Sequence, residues 1–254
     1  MARGLLSEWA FGGKRGLSVR ARSFGLALTL AAIALASGSA HAVSVSVCDN
    51  GACSALAALG TATTNADGSK TWTLTNPFAG TGYTVNSWQA ILQTDPFVTN
   101  NVVITNTQAT TQTFIATISL PIPAFSYNKI ISSSVGVTVT DSNGDGSVTA
   151  SSVTPNGIYS GTVNGVTALT LLPDPTTVSC STPGCSNTAS VNFPSGPAGP
   201  GVATAIGITL EFTLSPGDSA GLTSRFEITP EPGTVLLLAS GLFGLVVVGR
   251  KREK

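Results

Sequence analysis

Through the middle of the chain, apolar and polar positions alternate every second residue. Val135, Val137 and Val139 are interleaved with Gly136, Thr138 and Thr140. Phe114, Ala116, Ile118 and Leu120 alternate with Ile115, Thr117 and Ser119, and Ile206, Ile208, Leu210, Phe212 and Leu214 with Gly207, Thr209, Glu211, Thr213 and Ser215. A two-residue period built on β-branched side chains predicts strands with one buried and one wet face. Shorter runs of the same kind predict strands at Lys70–Thr75, Tyr83–Leu92, Val102–Asn106, Ile158–Val163, Val166–Leu172 and Ser224–Thr229. Helical periodicity is absent from every long segment; only Ser54–Leu59 has the composition for a helical turn or two. Gly, Pro, Asn and Asp punctuate the runs at short intervals. About nine short strands so spaced predict an all-β fold and favour an antiparallel β-sandwich over a closed barrel.

At both ends the alternation gives way to unbroken apolar runs. Arg3, Lys14, Arg15, Arg20 and Arg22 precede Phe24–Ala36, and Ser37-Gly38-Ser39-Ala40-His41-Ala42 follows. A basic leader, a short apolar core and an A-x-A site at Ala40 and Ala42 predict a signal peptide over residues 1–42, cleaved after Ala42. Ala21 separates Arg20 from Arg22, which favours general secretion over a twin-arginine route. The leader is long for such a signal, so a start near Leu17 or Val19 is expected. At the other end Pro230-Glu231-Pro232 is followed by an apolar run over 233–249 and by Arg250-Lys251-Arg252-Glu253-Lys254. The run is at the short limit for a membrane-spanning helix, and the basic tail places the end on the cytoplasmic side. Prolines on both sides of Glu231 hold the backbone extended, presenting the glutamate to a protease-like partner.

This tripartite tail resembles the sorting signal of the PEP-CTERM family of Gram-negative bacteria. Thr113-Phe114…Ser119-Leu120-Pro121, Asp141-Ser142-Asn143-Gly144-Asp145-Gly146 and Ser215-Pro216-Gly217-Asp218…Ser224-Arg225-Phe226-Glu227 are similar to wording that recurs in its ectodomains. The preference for a sandwich over a closed barrel rests partly on this likeness. The resemblance implies that an exosortase recognises Pro230, Glu231 and Pro232. It also implies an inner-membrane-anchored precursor that reaches the cell surface or an extracellular matrix, associated with exopolysaccharide or biofilm. Three parts are therefore expected: the signal peptide 1–42, a sandwich ectodomain 43–229 and the sorting signal 230–254.

Charge sharpens the reading of the ectodomain. Lys70, Lys129 and Arg225 stand against Asp49, Asp67, Asp95, Asp141, Asp145, Asp174, Asp218, Glu211 and Glu227, a net charge of −6, although the whole chain sums to +0. A surface so poor in cations cannot neutralise a phosphate backbone, which excludes nucleic acid as a partner. The single histidine, His41, lies in the predicted signal peptide. Without it the ectodomain has no Ser-His-Asp or Cys-His catalysis and no His-ligated zinc. Glycoside hydrolysis needs only a pair of carboxylates, but these are scattered singly in turn-like contexts such as Ala66-Asp67-Gly68. A non-catalytic protein is expected. Carriage of a carbohydrate-binding or adhesin module is the alternative, with Trp72, Tyr83, Trp88, Tyr127 and Tyr159 as candidates for an aromatic platform.

Two local patterns carry further chemistry. Cys48 and Cys53 enclose four residues with Asn50-Gly51 between them, and Cys180 and Cys185 enclose four with Pro183-Gly184. An even count in an exported chain predicts disulfides, and the bent loops favour the local pairings 48–53 and 180–185. A four-thiolate zinc site is disfavoured by an oxidising compartment. Asp141, Asn143, Asp145 and Ser147 place oxygens at alternate positions with Gly146 sixth, like the first half of a calcium loop. The twelfth position, however, is Ser152 rather than a bidentate carboxylate. Either a weak structural calcium site or a tight hairpin joining Val135–Thr140 to Ser147–Ala150 fits this sequence. No other cofactor is expected.

Overall fold

The computed structural model describes residues 43–93, 96–124, 129–194 and 198–230. The signal-peptide and membrane-segment expectations fall on residues outside that set, as do Ala40, Ala42, Glu231 and Pro232. The chain folds as β1 (Ser44–Asp49), β2 (Ala52–Ala55), β3 (Gly60–Thr64), β4 (Lys70–Leu74), β5 (Phe78–Ala79), β6 (Tyr83–Gln93), β7 (Phe97–Asn106), β8 (Gln112–Pro121) and β9 (Lys129–Thr140). It continues as β10 (Val148–Ser151), β11 (Tyr159–Val163), β12 (Val166–Leu171), β13 (Thr177–Cys180), β14 (Ser186–Phe193), β15 (Ala198–Gly199), β16 (Ala205–Leu214) and β17 (Ser219–Pro230). Among the described residues the sole helical element is the 3-10 turn Ala57–Leu59, and no helix is long and apolar enough to cross a membrane.

Two antiparallel sheets form. The eight-stranded sheet runs β12-β11-β16-β8-β1-β2, with β10 and β13 continuing the lines of β11 and β12 beside β16. The nine-stranded sheet runs β14-β9-β17-β7-β6-β4-β3, with the two-residue strands β5 and β15 on β6 and β9. The alternating residues decide which faces meet. Val135, Val137 and Val139 of one sheet, and Ile206, Ile208, Leu210, Phe212 and Leu214 of the other, are all buried in one core cluster. Each side chain of this size, fully buried, stabilises the fold by about 1.5–3 kcal/mol. Tyr159 Oη on β11 donates to the Arg225 carbonyl on β17 at 3.0 Å, joining the two sheets, whereas the buried Tyr83 hydroxyl has no hydrogen-bond partner among the described residues. Burial pushes the Tyr159 phenol's pKa well above its ordinary value.

Candidate functional site

At one end of the sandwich, four connections carry the chain from one sheet to the other. They are the links β7–β8, β9–β10, β13–β14 and β16–β17. Two aspartates and an asparagine, each almost wholly buried, tie them together: Asn106 and Asp218 are 0% exposed and Asp141 is 3%. Asn106 Nδ2 donates to the carbonyls of Thr110 at 2.9 Å and of Leu214 and Ser215 at 3.0 Å. Its own backbone N–H donates to the Asp218 carbonyl at 2.9 Å. The Asp218 carboxylate accepts from the Ser142 N–H at 3.3 Å and from Ser215 Oγ.

Asp141 is the hub of the β9–β10 link. Its carboxylate accepts backbone N–H groups from Gly144 at 2.7 Å, Gly146 at 3.0 Å and Gly184 at 3.0 Å, the last from within the Cys180–Cys185 loop. Its own N–H donates to the Cys185 carbonyl at 2.9 Å. Burial acts to raise the Asp141 pKa, but these backbone donors, with Asp145 N–H, outweigh it and hold the carboxyl below its ordinary range. Asp218 moves the other way. Its burial raises its pKa, Asp145 and Asp141 add to the rise, and the Ser215 and Ser142 bonds only partly oppose it.

This geometry corrects the hairpin expected between Val135–Thr140 and Ser147–Ala150. Strands β9 and β10 lie in different sheets, so Asp141–Ser147 is a crossing rather than a reversal. Its turn chemistry is nonetheless the local kind read from the sequence. Asn143 Oδ1 accepts the Asp145 N–H at 2.8 Å and Asp145 Oδ1 accepts the Ser147 N–H at 3.0 Å, successive side chains each capping the backbone two residues on. Asn143 Nδ2 also donates to the Pro216 carbonyl at 2.8 Å. The close approach needs a glycine opposite: a Cβ at Gly217, whose φ is +74°, would lie 2.6 Å from Asn143 Nδ2. The four candidate calcium ligands Asp141, Asn143, Asp145 and Ser147 are thus drawn into turn bonds. Among the described residues no group of three or more His, Cys, Asp or Glu side chains is arranged to hold a metal.

The cysteines are joined as Cys48–Cys53 and Cys180–Cys185, with no free thiol. The first bridges directly paired residues of the β1–β2 hairpin. Asn50 and Gly51 in that turn have φ of 45° and 88°, the left-handed pair that a two-residue hairpin requires. The second closes the turn between β13 and β14, where the chain leaves the eight-stranded sheet for the nine-stranded one.

The outer face of the nine-stranded sheet bears a trough of about 450 Å³. Cross-strand register lays two rows of side chains across β6, β7, β17, β9 and β14. One is Gln89, Asn101, Thr223, Gly136, Ser190, and the other Ile91, Thr99, Arg225, Ser134, Asn192. Seven of the ten are amides and hydroxyls, the others being Gly136, Ile91 and Arg225. The one charge, Arg225, pairs with Glu227 at 2.8 Å and lies over the Phe97 ring at 4.7 Å.

The aromatic platform finds no support. Trp72, Tyr83, Trp88 and Tyr159 are 3%, 3%, 1% and 0% exposed, and Tyr127 lies outside the described residues. Trp72 and Trp88 pack edge to face in the core at 6.1 Å, with their N–H groups donating to the Ala57 carbonyl and Asn100 Oδ1. Of the buried polar hubs, Asn106 and Asp218 escaped sequence reasoning. Asp218 stands in the quoted phrase Ser215-Pro216-Gly217-Asp218, whose turn residues gave the only signal.

β17 is a central strand, paired with β7 on one side and β9 on the other, and its last residue is Pro230. There it pairs only with β9, leaving the N–H that proline lacks unneeded on the β7 side. The first residue of the Pro-Glu-Pro motif is therefore still part of the sandwich. Residues 229–252 match the PEP-CTERM protein-sorting motif. The match overlaps β17 at Thr229 and Pro230, so no linker separates the folded domain from the PEP-CTERM segment. No curated protein matches the chain. Two disulfides fit an extracytoplasmic location for the domain that precedes the motif.

Proposed function

We propose that this chain is a non-catalytic, exported surface protein that an exosortase sorts through Pro230-Glu231-Pro232. The observation that carries the reading is the PEP-CTERM match over residues 229–252, joined directly to a disulfide-bearing sandwich. In this reading the apolar run 233–249 holds the precursor in the inner membrane, with the basic tail on the cytoplasmic side. The enzyme then removes the tail and passes the ectodomain to the cell surface or to an exopolysaccharide matrix. The chemistry belongs to the exosortase, and the chain supplies the motif and the displayed domain. Replacing Glu231 by Ala should leave export intact and block processing, so that uncleaved precursor accumulates in the inner membrane. Normal processing of the Glu231→Ala variant in cells containing the exosortase would contradict the reading.

A second reading, a glycan-binding module on the same anchor, is favoured by the trough on the nine-stranded sheet. Two rows rich in amides and hydroxyls crossing five strands offer donors and acceptors to a hydroxyl-rich polymer, and their one cation, Arg225, is already paired with Glu227. Glycan-array binding by the exported protein, lost in the Asn101→Ala, Asn192→Ala double variant, is the expected result. Binding unchanged by that pair would place any glycan elsewhere.

A further inference from the structure

We propose that two copies of this chain associate through β14, edge to edge about a two-fold axis, joining their nine-stranded sheets into one. An exposed sheet edge is a template for pairing, and folded proteins blunt their edges with short strands, bulges, charges or covers. The other described edges here are blunted. β2 and β13 are four residues each and end against disulfides, β3 stops at five residues, and the β11–β12 pairing is broken by a bulge. β14 is different. It runs for eight residues, Ser-Asn-Thr-Ala-Ser-Val-Asn-Phe, pairs with β9 in unbroken register, and has no charge, proline or bulge. Among the described residues no strand pairs with its other side.

Side-chain burial along β14 points the same way. Ala189, Val191 and Phe193 register with Val137, Val135 and Ser133 of β9, so they extend the core-facing row of the sheet. Val137 and Val135 are 0% and 2% exposed, whereas Val191 is 38% exposed, and Ala189 and Phe193 are only half-buried. The inward row of the last strand overhangs the core. A strand added beside it would cover this row while satisfying the backbone groups beyond Thr188, whose N–H already donates to Asn187 Oδ1 at 2.8 Å.

The occupant is a second copy because the edge is complementary to itself. Antiparallel pairing centred on Ser190 sets Ala189 opposite Val191 and, on the outer face, Thr188 opposite Asn192, each pair occurring twice about the axis. Residues that face each other then have the same parity: on the inner side Ala189 meets Val191 and Phe193 meets Asn187, and on the outer side Thr188 meets Asn192 and Ser190 meets itself. The domain carries a net charge of −6, so two copies repel over most of their surface. The uncharged edge is where they can approach. A two-fold contact uses β14 of both copies and therefore closes at a dimer. It also makes the Gln89-to-Ser190 row of the trough continuous across both sheets.

The test uses the exported, full-length protein in its own membranes, with a Ser190→Cys substitution and a short thiol-to-thiol cross-linker. An Ala62→Cys substitution on the edge strand β3 serves as the control for clustering through the apolar tail. The expected result is a cross-linked dimer from Ser190→Cys and a several-fold weaker product from Ala62→Cys. Adding Val191→Lys, or separately the solvent-facing Thr188→Lys, to the Ser190→Cys protein should abolish the dimer while the melting temperature stays near that of the parent. Absence of the Ser190→Cys dimer, equal products from both edges, or persistence of the dimer in both lysine variants would overturn the proposal.

Discussion

The two disulfide loops have the same spacing and the same kind of turn sequence, yet they sit in different mechanical settings. Cys48–Cys53 joins neighbours in a hairpin that already has its ladder and its left-handed Asn50-Gly51 turn. Cys180–Cys185 closes a turn at which the chain changes sheets, and the loop inside it donates Gly184 N–H to the buried Asp141 carboxylate. Loop-closure entropy depends on loop length, and both pairs have a sequence separation of 5. The contribution of each bridge through the unfolded chain is therefore equal, about 2 kcal/mol. Any difference between them must come from the native state. A disulfide's worth here is set by what its loop is bonded to.

Asp141 should dominate that difference. In Asp141→Asn an amide N–H₂ replaces an oxygen that accepts backbone N–H groups, so donors face donors and the crossing loses its hub. The largest loss of Tm in the series is expected, measured by thermal unfolding at neutral pH. The folded-state pKa of Asp141 lies below its ordinary value of 3.8, so its stabilisation is present above that pH and is lost as pH falls through the folded pKa. The parent and the variant should therefore converge in acid. Asp218 carries the opposite sign. Its folded pKa is raised, so ionisation costs stability as pH rises from 3.8 through the folded value, and Asp218→Asn should raise Tm at neutral pH but not in acid. A gap between parent and Asp141→Asn that is independent of pH would show that shape, not charge, holds the loop.

Removing the bridges comes next in size. The Cys180→Ser, Cys185→Ser double variant should stay folded but lose more Tm than Cys48→Ser, Cys53→Ser. The latter should lose no more than about 2 kcal/mol, or ~4–8 °C for a domain of this size. Combining Asp141→Asn with each pair should give non-additive losses with 180/185 and additive ones with 48/53. Equal losses from both pairs would remove the native-state difference. The smallest effect concerns calcium. With the Asp141, Asn143 and Asp145 side chains already committed to turn bonds, chelator should leave Tm unchanged. A fall of several degrees, abolished by Asp145→Asn, would reinstate a metal in the loop.

The fold was legible wherever a strand buries one full face. Phe114 to Leu120 and Ile206 to Leu214 announced their inward residues because every second side chain is in the core. Strand β6 shows how the signal blurs. Tyr83 and Val85 face inward at odd positions, the register shifts between Val85 and Ser87, and Trp88, Ala90 and Leu92 face inward at even ones. That bulge is why alternation along β6 did not assign Trp88 to the core and left it among the platform candidates. The edge strands β2 and β3 gave no alternation, since they bury little, and β14 alternates only over the short run Ala189–Phe193. At the polar end, turn chemistry was legible but sheet membership was not. Asn143-Gly144 and Asp145-Gly146 encode a bend, and only the distant partners Gly184 and Asp218 reveal that it crosses between sheets.

The sorting segment was legible because its three features are contiguous, and it bears the central functional claim. The most direct measurement is the intact mass of the mature protein recovered from cells that contain the exosortase. The account predicts a species lacking the Arg250–Lys254 tail and the apolar run before it. A mature protein that still carries Arg250–Lys254 would contradict sorting and leave a simple tail anchor.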